Sequence, residues 1–312
     1  MLNVVLIHRE QPVWCARTVV GFAANGVAVS ITVVDNGSSP SALASLRSGI
    51  AEARADGSLA ADVPVEIVEL GSNTGFGPAG NEGLRRWLAR PVDEAGEWSV
   101  VAPHDAMPQE GCLEALLAAL ATRPRAGLAS ADVGEEPAPT PVVDQYFGSI
   151  PAAITVEVGW EPAGYPHGTL MLARRGCLEE IGLFDERYFA YCEEADLGER
   201  ARRAGWEVGV VRGARVVNMH LSSATPAVDY LQLRNTLLLV RDNFGRYKGS
   251  IRFATAVIQL VQGVVRPATR TEVFSADAQL QAMGDHLRGR YGPPPERFFV
   301  RADDTEEAPT GA

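Results

Sequence analysis

The chain has few cysteines, and none of them has the spacing that cysteine chemistry needs. Its 312 residues include four cysteines, with no CxxC pair and no histidine pair near them. This pattern argues against a disulfide framework and against a zinc site, and it is typical of reduced thiols in the cytoplasm. We therefore expect a cytoplasmic protein.

Targeting signals, membrane-length apolar runs and a basic charge balance are also missing. The N-terminal run MLNVVLIHRE has no basic lead and no small-residue cleavage site, so we expect no signal peptide. The most apolar later stretch, 253–265, is too short for a bilayer and contains two glutamines. A net charge of −11 argues against a general nucleic-acid binder. The composition, 46% hydrophobic and 21% charged, is that of a soluble globular protein.

One region departs from this acidic balance. Residues 212–270 contain nine Lys or Arg and only two Asp. One interpretation is a helix that packs on the core and keeps a solvated basic rim. The other is docking on an anionic membrane that presents a lipid-linked acceptor, so a peripheral contact with the inner face of the membrane is considered. A homodimer interface is a further possibility that the sequence does not decide.

Apolar runs alternate with helical patterns in the first half of the chain. Strands are predicted at 2–7, 30–35, 65–70 and 98–103, and one of the intervening helices is predicted around Asn81–Ala89. The alternation predicts an α/β fold with a Rossmann-like, mostly parallel sheet covered by helices on both faces. Short antiparallel strands are predicted within 142–160, two strands in GWEVGVV and ARVVNMH, and one or two helices over 228–265.

Ligands of such sheets lie beyond the carboxyl ends of the strands. Asp35 ends a strand and opens a turn, where it fits ordinary turn chemistry or a contact with a ribose or base. The segment GSNTGFGPAG, 71–80, follows the third strand, so it is not a dinucleotide fingerprint, and an NAD-dependent oxidoreductase is excluded. It is interpreted as a flexible loop whose backbone can approach a ligand. The polar residues at these ends and in the loop are His8, Arg9, Glu10, Asp35, Asn36, Asn73, Asn81, His104 and Asp105.

The segment FDERYFAYCEEADLGERARRAGWEV, 184–208, places three acids at the start of an amphipathic helix. Acids in a first turn stabilise a helix through its dipole. Three of them behind an aromatic run also suit a carboxylate held partly out of water, which could act as a general base. The three candidates are Glu193, Glu194 and Asp196. A metal site formed by Asp105 through oxygen and His220 through nitrogen is a separate possibility, although each also fits a structural role.

In this order, the motifs resemble a family-2 glycosyltransferase of the GT-A fold, in the bacterial rhamnosyltransferase-like and galactofuranosyltransferase-like branch. The resemblance runs from about residue 3 to 247. It is carried by VVDNGSSP, NTGFGPAGNEGL, the block PHGTLMLARRGCLEEIGLFDERYFAYCEEADLGERARRAGWEV, ARVVNMHLSS and YLQLRNTLLLVRDNFG.

The resemblance implies inverting transfer of a hexosyl or deoxyhexosyl group from a nucleoside-diphosphate sugar, with UDP or dTDP preferred. Glu194 occupies the position of the catalytic base, flanked by Glu193 and Asp196. The acceptor would be a polysaccharide precursor, a lipid-linked glycan or a small molecule. Asp105 and His220 would bind Mg²⁺ or Mn²⁺. The implied donor-binding residues are His8, Arg9, Glu10, Asp35, Asn73, Gly75, Asn81, His104 and Asp105, with Gly168 and Thr169 facing the acceptor and the transferred sugar.

Three positions depart from that pattern. His8-Arg9-Glu10 replaces the usual Thr-Tyr-Asn, Pro103 replaces the first metal ligand, and the base is Glu in place of Asp. A metal-independent enzyme in which His8 and Arg9 face the phosphates is therefore an alternative. A catalytically inactive relative that binds a nucleotide sugar is another.

The resemblance also suggests an organisation along the chain. A catalytic domain is predicted over 1–222, with a nucleotide-binding half at 1–131 and an acceptor half at 132–222. A helical region is predicted over 223–292, followed by a disordered tail at 293–312.

Overall fold

The computed structural model describes residues 1–218 and 225–299, which form two compact units. The described part of the first unit comprises 1–143, 150–186 and 193–218. The described part of the second unit comprises 144–149, 187–192 and 225–299.

The strands follow the predicted alternation closely in the first half of the chain. Apolar, β-branched runs with both faces buried form the central strands. Their bounds are β1 Leu2–His8, β2 Val29–Asp35, β3 Val65–Glu69, β4 Trp98–Pro103, β5 Ala106–Pro108, β6 Ala126–Val133, β7 Thr140–Asp144, β8 Gly148–Ala152, β9 Gly159–Pro162, β10 Met171–Arg174 and β11 Glu207–Asn218.

One large sheet has the strand order β3-β2-β1-β4-β10-β6-β11-β5, and β9 pairs with β11. Among the described strands, the four at the β3 end are parallel to one another, and β6 is parallel to β11. Strands β10, β5 and β9 run antiparallel to their neighbours. The predicted α/β class is confirmed. The sheet is mixed, because the parallel pairs at its β3 end and between β6 and β11 are joined by antiparallel strands. Strands β7 and β8 form a separate pair.

Strand β11 corrects the prediction of two strands at its position. It runs without interruption from Glu207 to Asn218, with a register shift against β6 between Val211 and Arg215. Gly213 lies within the shift at a φ of 89°, a conformation that glycine adopts without steric cost. The glycine therefore bends the strand and does not end it.

The helices cover the sheet and form most of the second unit. Their bounds are α1 Pro12–Ala23, α2 Pro40–Ala55, α3 Phe76–Leu88, α4 Val92–Ala95, α5 Cys112–Ala121, α6 Arg175–Ile181, α7 Glu193–Arg203, α8 Pro226–Phe244, α9 Arg246–Val265 and α10 Ala276–Leu287.

Helix α3 begins five residues before the predicted start. Gly75 takes a φ of 100° as the residue before the helix, and the glycines that follow lie on the helical face that packs on the sheet. A Cβ at Gly83 would collide with the side chain of Val5. Residues 76–80, half of the segment interpreted as a flexible loop, therefore belong to a closely packed helix, because small residues let it approach β1.

Two apolar clusters form the core of the first unit, one containing Leu6 and Leu116 and the other containing Val5 and Phe184. The second unit has its own cluster, which contains Leu237 of α8, Leu260 of α9 and Met283 of α10. No helix within the described ranges combines the length and the hydrophobicity needed to cross a membrane.

Candidate functional site

The carboxyl ends of β1 and β2 bring His8 and Asp35 together, as the parallel register requires. His8 Nδ1 lies 2.8 Å from Asp35 Oδ1, and both side chains are buried. Burial lowers the pKa of His8, and this effect outweighs the neighbouring Asp35 carboxylate, which raises it. A neutral His8 that donates to Asp35 leaves Nε2 as an acceptor, and that buried atom has no hydrogen-bond partner.

Glu10 and Arg9, which follow His8 in the chain, differ in what they contact. Glu10 has a left-handed φ of 55°, and its carboxylate accepts hydrogen bonds from Ser39 N at 2.6 Å and Ser39 Oγ at 3.0 Å. Glu10 therefore holds the turn after β2. Arg9 is exposed at the same edge. Because His8 is neutral at neutral pH, Arg9 is the cation that this tripeptide offers to a phosphate.

Asn36 connects the turn after β2 to the segment before α3. Its Nδ2 donates to Asn73 Oδ1 and to the carbonyl of Gly75, both at 3.1 Å. Its Oδ1 accepts from Thr74 N at 2.8 Å and from Thr74 Oγ1 at 3.0 Å. Asn36 was not among the predicted site residues, although it lies in the motif VVDNGSSP that pointed to Asp35.

Asn81 lies on α3 with its carboxamide turned to the protein interior. Its Nδ2 donates to the carbonyl of Phe184 at 2.9 Å and to Glu186 Oε1 at 3.1 Å, and its Oδ1 accepts from Phe184 N at 3.0 Å. Both amide hydrogens are used in these contacts. Asn81 therefore positions the segment that leads to the acidic cluster, and its amide has no donor left for a nucleotide.

Asp105 lies in the short connection between β4 and β5. In the orientation that satisfies both groups, the amide nitrogen of Asn218 donates to the two carboxylate oxygens of Asp105 at 3.0 and 3.1 Å. His104 Nδ1 lies 3.2 Å from the carbonyl of Ile7, and its ring meets that of His8 edge to face at 5.8 Å. His220 lies outside the described residues.

The described residues do not by themselves form a metal centre. Across 1–218 and 225–299, no three His, Cys, Asp or Glu side chains are grouped closely enough to hold an ion. Pro103 has no ligand atom in its side chain, and the Asp105 carboxylate is engaged by Asn218. A cation at Asp105 would therefore need ligands beyond these side chains.

Glu193 and Glu194 are the first two residues of α7, but their environments differ. Glu193 is buried, and its Oε2 has no hydrogen-bond partner. Burial and the charge of Glu194 raise its pKa well above the usual range. Glu194 is partly exposed, and burial raises the pKa of its carboxyl to about 7. The helix dipole favours the charged form of both acids, so here desolvation is the larger effect.

Gly168 lies directly against Glu194. A Cβ at this position would overlap Glu194 Oε1, so only glycine lets the carboxylate occupy its place. Thr169 is buried beside it, and its backbone N–H donates to His167 Nδ1 at 3.2 Å. Of the two residues expected to face the acceptor side, the structure therefore places Gly168 directly against Glu194, with Thr169 next to it in the chain.

Asp196, the third acid, has a structural role in α7. Arg200 Nε donates to Asp196 Oδ2 at 2.8 Å, one helical turn further along α7. The same guanidinium donates to the carbonyls of Ile181 at 2.7 Å and Leu183 at 2.8 Å. Asp196 thus fixes an arginine that joins α7 to the end of α6, which accounts for an acid at this position without a catalytic role.

The second unit contains a strained turn that the sequence did not reveal. Phe189, Tyr191 and Cys192 have φ values of 56°, 68° and 73°, in the left-handed region that costs non-glycine residues about 1–3 kcal/mol each. Asn235 of α8 is fully buried, and its Nδ2 lies 2.7–2.8 Å from the carbonyls of Tyr188, Ala190 and Tyr191. These hydrogen bonds stabilise the turn.

Two solved structures share this architecture. A mannosyltransferase from Pyrobaculum calidifontis, in complex with GDP-Man and Mn²⁺, aligns with a TM-score of 0.56 and 15% identity over 92% of this chain and 86% of that chain. GalNAc-T7, with UDP, GalNAc and Mn²⁺, aligns with a TM-score of 0.62 and 14% identity over 92% of this chain and 55% of that chain. The chain has the GT-A glycosyltransferase fold.

The sequence comparison agrees with the fold. The chain is 30% identical over 191 residues to an N-acetylglucosaminyl-diphospho-decaprenol L-rhamnosyltransferase of Mycobacterium tuberculosis. The match covers 52% of this chain and 62% of the relative, so the chain spans less than two thirds of that protein's length. No family model matches the chain. The predicted resemblance to glycosyltransferases of this type is confirmed.

Proposed function

We propose that this chain transfers a sugar from a nucleoside-diphosphate sugar to an acceptor hydroxyl, with inversion at the anomeric carbon. The observation that carries the proposal is the Glu194 carboxylate at the start of α7, with its pKa raised to about 7 and lying against Gly168. A base with a pKa near the working pH is suited to removing a proton from a hydroxyl. The acceptor would be a polysaccharide precursor, a lipid-linked glycan or a small molecule.

Glu194 is the base in this mechanism because the two neighbouring acids are less suited to it. Glu193 is buried, and Asp196 is paired with Arg200. The Glu194 carboxylate accepts the proton of the acceptor hydroxyl, whose oxygen attacks the anomeric carbon as the bond to the nucleoside diphosphate breaks. One base and one displacement produce inversion, and no covalent sugar–enzyme bond forms.

The donor would lie at the carboxyl ends of β1, β2 and β4. Asp35 is buried beside His8, with the unpartnered Nε2 of His8 available to accept a hydrogen bond. Arg9 supplies positive charge for the diphosphate. Asn36, Asn73 and Gly75 shape the neighbouring wall through their hydrogen bonds. We therefore assign the binding of the nucleotide to this edge. The resemblance to rhamnosyltransferase-like and galactofuranosyltransferase-like enzymes is what favours a uridine or thymidine diphosphate as the carrier.

A divalent cation is proposed at Asp105 with His220. The mannosyltransferase and GalNAc-T7 structures both contain Mn²⁺, which supports the proposal for this fold. A cation bound there would neutralise charge on the leaving diphosphate. In this chain Asn218 orients the Asp105 carboxylate, and the diphosphate oxygens would be needed as further ligands.

The experiment that tests the proposal is the substitution Glu194→Gln. We expect at least a thousandfold loss of sugar transfer, because a carboxamide cannot accept the proton. The affinity for the nucleotide sugar should stay within about threefold of wild type, since the uncharged side chain keeps its size and position. Calorimetric titration of the donor and a single-turnover transfer assay measure the two quantities separately.

Asp196→Asn is the matched control, because it alters an acid two residues away on the same helix. We expect it to lower stability, because the negative charge that faces Arg200 is lost, while transfer falls less than tenfold. Full transfer activity in Glu194→Gln would assign the base to another residue.

A second candidate function is a catalytically inactive relative that binds a nucleotide sugar. It is favoured by Pro103 in the metal motif and by the engagement of Asp105 with Asn218. Tight donor binding together with no transfer across broad donor and acceptor panels would support it over the enzyme.

A further inference from the structure

Helix α9 of the second unit has two apolar faces, and only one of them is buried. The buried face includes Ala256, Leu260 and Gly263. The other face carries five aliphatic side chains that are 41–70% exposed, and we call it the α9 stripe. Its members are Val257, Ile258, Val261, Val264 and Val265.

The spacing of the α9 stripe makes it one continuous surface. Positions i, i+1, i+4, i+7 and i+8 lie on the same side of an α-helix. Single exposed aliphatic residues are ordinary on a protein surface, but a contiguous row of five marks an interaction site. The stripe is therefore a candidate surface for a partner that is itself apolar at its point of contact.

The charges along α9 indicate what kind of partner this is. From Arg246 to Arg270 the chain carries five cations, of which Arg252 is buried, and no Asp or Glu, although its net charge is −11. Arg246 at the start of the helix, and Arg266 and Arg270 just after its end, are exposed. An apolar row flanked by cations suits the boundary between acyl chains and anionic headgroups.

A second copy of the chain fits this surface less well. A two-fold symmetric contact places the same patch on both partners. Two antiparallel α9 helices would bring Arg266 and Arg270 of one copy towards Arg246 and Lys248 of the other, with no acid on either helix to compensate. An anionic lipid surface instead neutralises the exposed cations Arg246, Arg266 and Arg270.

We propose that α9 docks on an anionic lipid surface, with the α9 stripe inserted among the lipids and the flanking cations on the headgroups. This goes beyond the proposed transfer reaction and does not require it. If the acceptor is lipid-linked, the docking would concentrate the protein at the surface where that acceptor lies.

Vesicle flotation of the full chain tests the proposal. The vesicles are pure phosphatidylcholine, or phosphatidylcholine with about one third phosphatidylglycerol, enough to give a negative surface potential. We expect the wild-type chain to float only with the anionic vesicles, and at least tenfold less at about 1 M salt, where headgroup charges are screened.

The double substitution Ile258→Gln and Val261→Gln separates insertion from simple charge attraction. We expect at least a tenfold loss of vesicle affinity, because two polar amides replace the aliphatic groups that enter the lipid. Val13→Gln on α1 is the matched control, since Val13 is also an exposed helical valine and is 60% exposed. Thermal unfolding of each variant checks that the substitutions leave the fold intact.

Each outcome decides the matter. No flotation of the wild-type chain, or equal flotation of the wild-type chain and the double variant, overturns the proposal. A concentration-dependent dimer that the double variant abolishes, without vesicle binding, would assign the stripe to a second copy. Because flotation uses no sugar donor, failure here is distinct from failure of the transferase proposal.

Discussion

At the scale of single residues, two adjacent glutamates differ in what surrounds them. Glu193 is buried with an unpartnered oxygen, whereas Glu194 is partly exposed and lies against a glycine. The side chains are chemically identical, so burial and neighbours alone distinguish the proposed base from its neighbour. Gly168 contributes by having no side chain.

The Gly168→Ala variant should show how closely Glu194 is held. The added methyl group would overlap Glu194 Oε1, so the carboxylate must move, and we expect transfer to fall by about a hundredfold. Steady-state kinetics with a fixed donor measure the loss. Gly176→Ala is the control, because the nearest atom to its added Cβ is 3.9 Å away, at Trp206. Equal activity in both variants would contradict the close placement of Glu194.

The pH dependence of transfer should follow the ionisation of Glu194. Its pKa is raised to about 7, and a general base works only when it is deprotonated. We therefore expect kcat/KM to rise with pH up to and through about 7 and then to level off. A rate that is flat between about pH 5 and 8 would exclude a base with this pKa.

The raised pKa of Glu194 also affects stability, which should fall with rising pH while the rate of transfer increases. The native state holds the Glu194 proton more tightly than the unfolded chain, whose carboxyl has a pKa of 4.5, so the free energy of unfolding falls as pH rises from 4.5 towards 7. Glu194→Gln should remove this loss and add about 1–3 kcal/mol near pH 8. Urea unfolding of the wild-type and variant chains at about pH 5 and pH 8 measures the difference.

At the scale of elements, β11 is held in place by a buried ionic network. Arg212 donates to Glu161 of β9, and also to Asp132 of β6 at 2.7 Å and Thr140 of β7 at 2.7 Å. Arg212 and the two carboxylates are almost completely buried. Arg212 lies at the register shift of β11, so the bulge directs one guanidinium to three neighbouring strands.

Arg212→Met should be severely destabilising. It leaves two buried carboxylates without their cation, which costs about 3–5 kcal/mol when one partner of a buried pair is removed. Denaturant unfolding measures the change. Arg215→Met, three residues further along β11, is the control: Arg215 is only half-buried and its guanidinium contacts the backbone carbonyls of Gly134 and Glu135, so we expect a cost of less than about 1.5 kcal/mol. Similar losses in both variants would mean that the network contributes little.

At the scale of the whole molecule, the two units have separate cores and separate proposed tasks. The first unit contains the large sheet, whose strand ends carry the donor-side residues, and the acid pair on α7. The second unit carries the α9 stripe and the basic residues around it. Besides residues beyond the predicted boundary at 222, the second unit includes 144–149 and 187–192. Catalysis is proposed for the first unit and surface attachment for the second.

Ligand-dependent unfolding of the whole chain tests the donor and the metal together. A nucleotide sugar at about 100 times its dissociation constant should add roughly 2.7 kcal/mol to the free energy of unfolding. We expect a larger shift with UDP or dTDP sugars than with GDP sugars, and a larger shift with Mn²⁺ than with EDTA. A shift that EDTA leaves unchanged would instead favour Arg9 as the main contact of the diphosphate.

Local patterns predicted most of the fold. The bounds of β1, β2 and β4 agree with the predictions to about one residue, because the apolar runs that mark buried strands act over a few residues. The prediction failed for the start of α3, which was interpreted as a flexible loop, and for β11, which was predicted as two strands. Gly83 and Gly213 take their roles from the neighbouring strands, which short-range patterns do not contain.

For the site, the sequence by itself determined which residue types stand at the strand ends and at the start of α7. Tertiary structure decided what each one does. In the folded chain Asn81 is hydrogen-bonded to Phe184, and Asp196 is paired with Arg200. Burial lowers the pKa of His8, and Glu194 lies against Gly168. These differences depend on desolvation and on hydrogen-bond partners distant in sequence, and only the folded chain brings those together.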